Sequence, residues 1–194
     1  MELLLAINTA NYNFSSMRLS HALTILCVGW LSLVNAQSSG PEIPKEYRWD
    51  TPQEYAVDEA SVTEVLKWLC SEPLGLNIQK RSLANAYVME WITGSPSIRL
   101  EVNSEVFPFL EEHPELLFSL IQGMAFYSLG HPDEKDAVKL HAEGLETVAH
   151  HAELSEELSK DGDLKKLIKA NRKRQLKVYY QESLEDWEKA KQNN

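Results

Sequence analysis

Histidines are the side chains in this sequence best suited to bind a metal ion. Glu146 and His150 lie four residues apart and would share one face of a helix. A zinc-protease helix needs His-Glu-x-x-His, and a di-iron bundle needs Glu-x-x-His on paired helices. The chain contains neither spacing, so we expect no metal site and no cofactor. We interpret the five histidines beyond residue 36 as solvent-exposed or helix-capping: His113, His131, His141, His150 and His151.

Nucleophilic side chains give no recognisable catalytic motif. Gly94-Ser95 lacks the second glycine of Gly-x-Ser-x-Gly and follows a predicted helix rather than a strand. Cys70 is the single cysteine after residue 36 and falls on an apolar helical face, so we expect a buried, unreactive thiol. An intermolecular disulfide or a nucleophilic role for Cys70 stays open. The catalytic residues of any enzyme built on this chain are therefore unknown.

The segment from Lys160 to Lys177 differs in charge from the rest of the chain. It holds eight basic residues against two acids, a net charge of +6, whereas the whole chain carries −10. We predict that its helix docks through Leu164, Leu167 and Ile168 while its bases face water. The alternative is a surface that contacts anionic headgroups, lipopolysaccharide or an acidic partner. Nucleic acid is excluded as a partner because an acidic domain repels phosphate.

An export signal is predicted at the amino terminus. A positive start at Met17-Arg18 precedes an apolar run from Ala22 to Val34, which ends in Val34-Asn35-Ala36. The run is too short to cross a bilayer. We expect the true start at Met17, residues 1–36 to be removed, and the protein to be periplasmic or secreted. Leu26 occupies the position where lipidation of Cys27 would need a small residue, so we expect no lipid anchor.

The remaining residues predict an extended linker over 37–49 and a single helical domain over 50–190. We expect an all-α bundle or irregular array of five to six helices, with at most one short extended segment near 97–103. No transmembrane segment is expected in this part.

Capping and breaker residues predict where several helices begin and end. Thr51-Pro52-Gln53-Glu54 is a capping box for the first helix. Gly94 is predicted as the C-cap of the second helix, and Pro132-Asp133-Glu134 as the start of the fourth. Asp161-Gly162-Asp163 is predicted to begin a new helical segment, and a bend or helix break is expected near residues 171–175.

Apolar positions at helical spacing predict the buried faces of these helices. The first helix presents Val62, Val65, Leu66, Leu69 and Cys70, and the second presents Leu83, Ala84, Tyr87, Val88, Trp91 and Ile92. Phe107, Phe109 and Leu110 are expected to reach the core from a short turn. The helix ending at Leu129 is the most apolar and is predicted to be central, and Gly144 is predicted to allow close helix approach.

Two resemblances accompany these patterns. Trp91 to Pro96, Glu112 to Leu117 and Gly144-Leu145-Glu146 resemble a family of small exported all-helical proteins of Gram-negative bacteria that has no assigned activity. That resemblance covers roughly residues 66–180 and implies fold and compartment only. The region from Leu120 to Gly144 is also similar to one tetratricopeptide hairpin, although no second copy follows at a period of 34 residues.

We therefore expect a non-enzymatic binding or envelope-associated domain with an unidentified protein or envelope partner. An enzyme with an unrecognised cleft and a single tetratricopeptide-like scaffold are the alternatives. The surface segments to examine first are Ser95 to Asn103 and the basic helix.

Overall fold

Helices account for most of residues 40–193, the part of the chain that the computed structural model describes. In chain order they are α1 (Pro52–Ser71), α2 (Ile78–Gly94), α3 (Phe109–Glu112), α4 (Leu116–Gly130), α5 (Ala137–Leu154), α6 (Gly162–Arg172) and α7 (Leu176–Gln192). Two 3-10 turns cover Ser104–Val106 and Leu158–Lys160. Residues 40–193 contain no strand, which confirms the all-α prediction. Residues 40–193 hold seven helices rather than the five to six expected, and the predicted export signal lies outside these described residues.

Helix α1 begins at the predicted capping box. The Glu54 carboxylate accepts hydrogen bonds from the backbone N–H groups of Asp50 and Thr51, each at 2.7 Å. These bonds satisfy donors that lie ahead of the first helical turn and have no partner within the helix. The predicted buried positions of α1 are confirmed at Val62, Val65, Leu66 and Leu69, all of which are fully buried.

The segment before α1 contacts the body through aromatic rings. Tyr47 stacks on Trp49 with ring centroids 4.9 Å apart, and it meets the buried Tyr87 edge-on at 5.0 Å. The Trp49 indole donates a hydrogen bond to the Asp58 carboxylate at 2.7 Å. These contacts hold the amino-terminal segment against α1 and α2.

Helix α4 is central, as predicted, and it packs most extensively against α5. Each carries a glycine where the other helix crosses closely. A Cβ atom at Gly144 would lie 2.6 Å from the Leu120 carbonyl oxygen, and one at Gly123 would lie 2.9 Å from the Glu143 carbonyl oxygen. Both separations are shorter than van der Waals contact, so these glycines set the distance between the two helix axes.

Two predictions about α2 are wrong. Leu83 is 64 % exposed, because it precedes the buried Ala84 by one residue and is rotated about 100° away from it. Gly94 is the last helical residue rather than a left-handed cap, and Ser95 after it is extended. Glycine is required at position 94 for a different reason: a Cβ atom there would collide with the Tyr55 hydroxyl.

The predicted start of the fourth long helix is also wrong. Pro132 and Asp133 form a turn that the Glu134 N–H closes on the His131 carbonyl, and α5 begins at Ala137 with Asp136 as its N-cap. The Asp136 carboxylate accepts a hydrogen bond from Val138 N at 3.0 Å, while Glu134 accepts one from Asp136 N at 2.9 Å. The better cap therefore moves the helix start from Pro132 to Ala137, a shift of five residues.

The remaining predicted elements are confirmed. Phe107, Phe109 and Leu110 are buried beneath the short turns before α4. Asp161 caps α6 by accepting hydrogen bonds from Asp163 N and Leu164 N at 2.9 and 2.8 Å. The predicted bend is a break between α6 and α7, where Arg174 takes a positive φ of 57°.

Candidate functional site

The histidines divide into two groups. His131 and His150 contact backbone carbonyls at helix ends, as the capping interpretation predicted: His131 Nδ1 lies 3.0 Å from Tyr127 O, and His150 Nε2 lies 3.2 Å from Ser71 O. The interpretation is wrong for His141 and His151, whose residues are 4 % and 0 % exposed. Both belong to α5, whose buried face is wider than its apolar residues alone suggest.

His151 is held neutral in the interior. Its Nε2 lies 3.1 Å from the Leu69 carbonyl oxygen, and its Nδ1 lies 2.8 Å from Ser119 Oγ. A carbonyl accepts only, so Nε2 carries the proton and Nδ1 accepts from the serine hydroxyl. Burial, with the nearby Arg81 guanidinium, lowers the pKa of His151 to about 4. This imidazole positions the end of α1 and has no access to solvent.

Arg81 completes the cap at the end of α1. Its guanidinium donates hydrogen bonds to the carbonyl oxygens of Leu69 at 3.1 Å, Glu72 at 2.5 Å and Pro73 at 3.4 Å. The last carbonyls of a helix have no partner within it. Arg81 is 6 % exposed. At an exposed helix end, water would hydrogen-bond to these carbonyls; here Arg81, His150 and His151 bind them instead.

Cys70 lies beside this cap and is half-buried. Burial raises the pKa of its thiol to about 11. Only the thiolate is a good nucleophile, so the protonated thiol is unreactive near neutral pH. The sequence predicted a buried, unreactive thiol; Cys70 is only half-buried, and its low reactivity stays a prediction.

Glu112, His113 and Asp161 form one group of potential metal ligands within the described residues. Their ligand atoms lie within 4.8 Å of one another. The Asp161 carboxylate already accepts two backbone hydrogen bonds as the cap of α6, and Glu112 is exposed. We assign no metal to this group.

The basic segment lies on α6 and at the start of α7, and its helix docks as predicted. Leu164, Leu167 and Ile168 are buried, and all six bases from Lys165 to Arg174 are exposed. Four of the segment's eight bases pair with acids: Lys160 with Glu156, Lys166 with Asp163, Arg172 with Glu153, and Lys177 with Asp136. Within the described residues, the other four have no acid within salt-bridge distance: Lys165, Lys169, Lys173 and Arg174.

Helices α6 and α7 enclose an open groove of about 800 Å³, which we call the C-terminal groove. Its α6 wall carries Lys166 and Lys169, followed by Lys173, the C-cap of α6. Its α7 side carries Tyr179, Glu182, Asp186 and Trp187, with Val178 nearly half exposed. Glu105, Val106 and Pro108 line its far end.

Aromatic side chains form the floor of the C-terminal groove. Tyr179 and Trp187 are half-buried, and Lys191 lies over the Trp187 ring at 4.2 Å while its ammonium pairs with Glu105 at 3.2 Å. Burial and the nearby Asp163 raise the pKa of Tyr179 to about 12, so its hydroxyl stays protonated. The groove thus offers apolar contact and hydrogen bonds between a basic wall and an acidic one.

The Ser95–Asn103 segment, the other surface singled out from the sequence, lines a separate cavity of about 420 Å³. It is extended without pairing to a strand. Ile98 is buried and Leu100 half-buried on one side, whereas Arg99 and Glu101 are exposed on the other, so the sequence alternation is confirmed.

Comparison with family models, curated proteins and solved structures found no match for this chain. The two resemblances drawn from the sequence therefore stay predictions. Across residues 40–193, no helix is both long and apolar enough to cross a membrane.

Sequence reasoning found the bases of the groove and missed its other half. Tyr179 and Trp187 belong to a helical stripe on α7 with spacing of three and four residues, which also contains Val178, Glu182 and Asp186. That stripe was visible in the sequence, but its pairing with α6 depends on the break at Arg174. Arg81 was missed because its sequence neighbours Lys80 and Ser82 are polar, so nothing in the sequence indicates that backbone carbonyls will surround it.

Proposed function

We propose that this protein is an exported, non-enzymatic binding domain whose C-terminal groove receives an amphipathic helix of a partner protein. The partner helix presents acidic side chains to Lys169 and Lys173. The observation that carries the proposal is the presence of two lysines without a salt-bridge partner among the described residues, beside half-buried aromatic rings in the C-terminal groove.

The dimensions of the groove suit a helix. Its lining on α7 runs from Gln175 to Ala190, which is about 22 Å at 1.5 Å per residue. A partner helix of about four turns matches that length. Lys169 on α6 and Lys173, the C-cap of α6, are four residues apart, and the Lys173 N–H donates to the Lys169 carbonyl as in a helical turn. Acids spaced by four residues on the partner would therefore meet both lysines. Aromatic and apolar side chains between them supply the buried contact that anchors such interfaces.

The charge of the two walls favours a protein segment over a membrane surface. Glu182 and Asp186 line the groove opposite the lysines, and they would repel anionic headgroups. A partner helix with acids along one edge and bases along the other would pair its acids with the lysines and its bases with Glu182 and Asp186. The concave shape also excludes a flat bilayer from the aromatic floor.

A binding role rather than a catalytic one is supported by the placement of the titratable groups. His151 has no exposed surface, and the Cys70 thiol is kept protonated. The protonated Tyr179 hydroxyl gives the groove a hydrogen-bonding group and no base. These positions match a surface that holds a partner without reacting with it.

Export is the second part of the proposal, and it rests on the sequence pattern from Met17 to Ala36. The intact mass and amino-terminal sequence of the protein recovered from outside the cytoplasm test it directly. A chain that begins at Gln37 is expected. A chain that keeps residues 17–36 would contradict cleavage.

Binding of a designed helical peptide tests the groove. The peptide has about 15 residues, an apolar stripe and glutamates spaced by four along one edge, and its scrambled sequence is the comparison. We expect the designed peptide to bind at least about tenfold more tightly, and Lys169→Glu/Lys173→Glu to remove this preference. Lys45→Glu/Lys67→Glu is the matched control, since it makes the same charge change at exposed residues away from the groove.

Three results would contradict the proposed occupant. The first is that the designed peptide binds no better than the scrambled one, and the second is that both double variants weaken binding equally. The third is that vesicles of anionic phospholipid bind the protein through Lys169 and Lys173, which would assign the surface to a membrane. Circular dichroism of each variant confirms that the fold is unchanged before binding is compared.

A further inference from the structure

The cavity beside the Ser95–Asn103 segment is a second candidate site, separate from the C-terminal groove. Its volume of about 420 Å³ falls in the lower part of the range for small-molecule sites. Helix α4 contributes Met124 and Ser128, and helix α5 contributes Leu140 and His141. Arg99 and Glu101 line it from the extended segment. The cavity therefore combines apolar side chains with two kinds of polar group: the buried residues Ser128 and His141, and the exposed residues Arg99 and Glu101.

His141 places an unused hydrogen-bond acceptor on the cavity lining. The residue is 4 % exposed, and its ring stacks on Tyr180 with centroids 4.2 Å apart. His141 Nδ1 lies 2.8 Å from the Ala137 carbonyl oxygen, so Nδ1 carries the proton. Nε2 then has a lone pair, and no partner for it exists among the described residues, nor is it sealed in the interior.

The chemistry around His141 keeps that acceptor available. Burial lowers the pKa of His141, so the ring is neutral at pH 7 and Nε2 accepts rather than donates. Ser128, 8 % exposed, also lines the cavity, and its hydroxyl has no partner among the described residues. Neither His141 Nε2 nor Ser128 Oγ is sealed from solvent, so water reaches both atoms, and a ligand with a suitable polar group would replace that water.

The mouth of the cavity carries one unpaired charge of each sign. Arg99 and Glu101 are two residues apart on an extended segment and so lie on the same side of it. In the described part of the chain, neither has a salt-bridge partner. Lys135 and Glu134 also line the mouth, but Lys135 Nζ donates to the Pro132 carbonyl, and the Glu134 carboxylate accepts from two backbone N–H groups.

We propose that this cavity binds a free α-amino acid whose apolar side chain ends in a hydroxyl or N–H donor. The α-carboxylate meets Arg99, the α-ammonium meets Glu101, and the side chain passes Met124 and Leu140. Its terminal donor reaches His141 Nε2. A zwitterion matches a mouth with one guanidinium and one carboxylate, whereas a simple anion or cation leaves one of them unpaired.

The same geometry indicates binding rather than catalysis. A histidine that acts as a general base in a triad has its Nδ1 proton oriented by a buried carboxylate, which stabilises the imidazolium as it forms. Here the Nδ1 proton goes to the Ala137 backbone carbonyl. His141 is therefore built to remain neutral and to accept one hydrogen bond.

Isothermal titration calorimetry of the full chain at pH 7 with three amino acids tests this site. L-Tyrosine has the terminal donor, L-phenylalanine lacks it, and O-methyl-L-tyrosine replaces it by an ether. We expect L-tyrosine to bind about tenfold more tightly than the other two, the effect of one hydrogen bond to a buried acceptor. Tyramine, which has no carboxylate, should also bind more weakly than L-tyrosine.

A matched pair of variants assigns the effect to His141. His141→Phe keeps a ring to stack on Tyr180 and removes Nε2, so it should abolish the preference for L-tyrosine. His131→Phe is the control, because His131 also stacks on a tyrosine (Tyr127, 4.0 Å) and contacts a carbonyl four residues back, but it is exposed and outside the cavity. Nitrogen-15 chemical shifts of His141 in the unsubstituted protein report the contact without any substitution.

The proposal is overturned if L-tyrosine gives neither heat nor a change in the His141 nitrogen shifts up to its solubility limit. It is also overturned if His141→Phe binds L-tyrosine with unchanged preference over L-phenylalanine. These outcomes leave the helix-binding groove untouched, since His141 and the lysines of α6 line different cavities.

Discussion

Acidification should destabilise this protein through His151 in a predictable pH window. The folded-state pKa of about 4 lies well below the ordinary value of 6.5. Between these two values the unfolded chain binds a proton and the folded chain does not. Stability from His151 is therefore fully present above pH 6.5 and is lost as the pH falls toward 4. The difference between the unfolded-state and folded-state pKa values of His151 corresponds to about 3 kcal/mol of unfolding free energy.

Urea denaturation followed by circular dichroism, repeated from pH 7.5 to pH 4, measures this loss. The unfolding free energy of the unsubstituted protein should fall up to about 1.4 kcal/mol per pH unit more steeply than that of His151→Asn. Burial also lowers the pKa of His141, but His141 is present in both proteins, so its contribution cancels in the comparison.

His131→Asn is the control for this comparison, because His131 is exposed and its replacement leaves the interior unchanged. It should keep the steep slope of the unsubstituted protein. Equal slopes for the unsubstituted protein and His151→Asn would refute the assignment of a buried neutral imidazole. So would an imidazole NMR titration that places protonation of His151 near pH 6.5.

Three further predictions concern the fold. Arg81→Met should lower the unfolding free energy by about 2–4 kcal/mol in urea denaturation, because buried carbonyls lose their donors; a change below about 0.5 kcal/mol would argue against the cap. Gly144→Ala should cost about 1–3 kcal/mol in the same assay, since its Cβ meets the Leu120 carbonyl, whereas Gly130→Ala has no atom nearby and should cost nothing. Iodoacetamide should alkylate Cys70 at least about tenfold more slowly in the folded protein than in urea, and equal rates would contradict its enclosure.

The sequence predicted the helices where the local signal was strong. Short sequence patterns were sufficient to predict three features: the Thr51–Glu54 capping box, the Asp161 cap and the buried face of α1. Each of them depends on residues that lie close together in the sequence. The start of α5 was mispredicted because two acid-containing turns compete, and the Asp136 cap is preferred to the dipole effect of Asp133 and Glu134.

The polar interior could not be predicted in the same way. His151 and Arg81 are buried because the end of α1 offers them carbonyls from another part of the chain. The depth of His141 depends likewise on Tyr180, which reaches it from α7. The periodicity of apolar residues predicts which side of a helix faces inward. It does not predict which polar groups of other helices that side will contact. The basic wall of the C-terminal groove was predicted, and its aromatic floor was not.

Photo-cross-linking from the floor of the C-terminal groove tests the proposed function most directly. Benzoylphenylalanine replaces Val178 inside the groove, and Val57, which is 79 % exposed on α1, is the control position. Cross-linked segments from an envelope extract are identified by mass spectrometry. From Val178 we expect one helical segment with an apolar stripe and acids spaced by four, lost in Lys169→Glu/Lys173→Glu. Cross-links that are equally varied from both positions, that reach lipid, or that survive the charge reversal would contradict the proposed function.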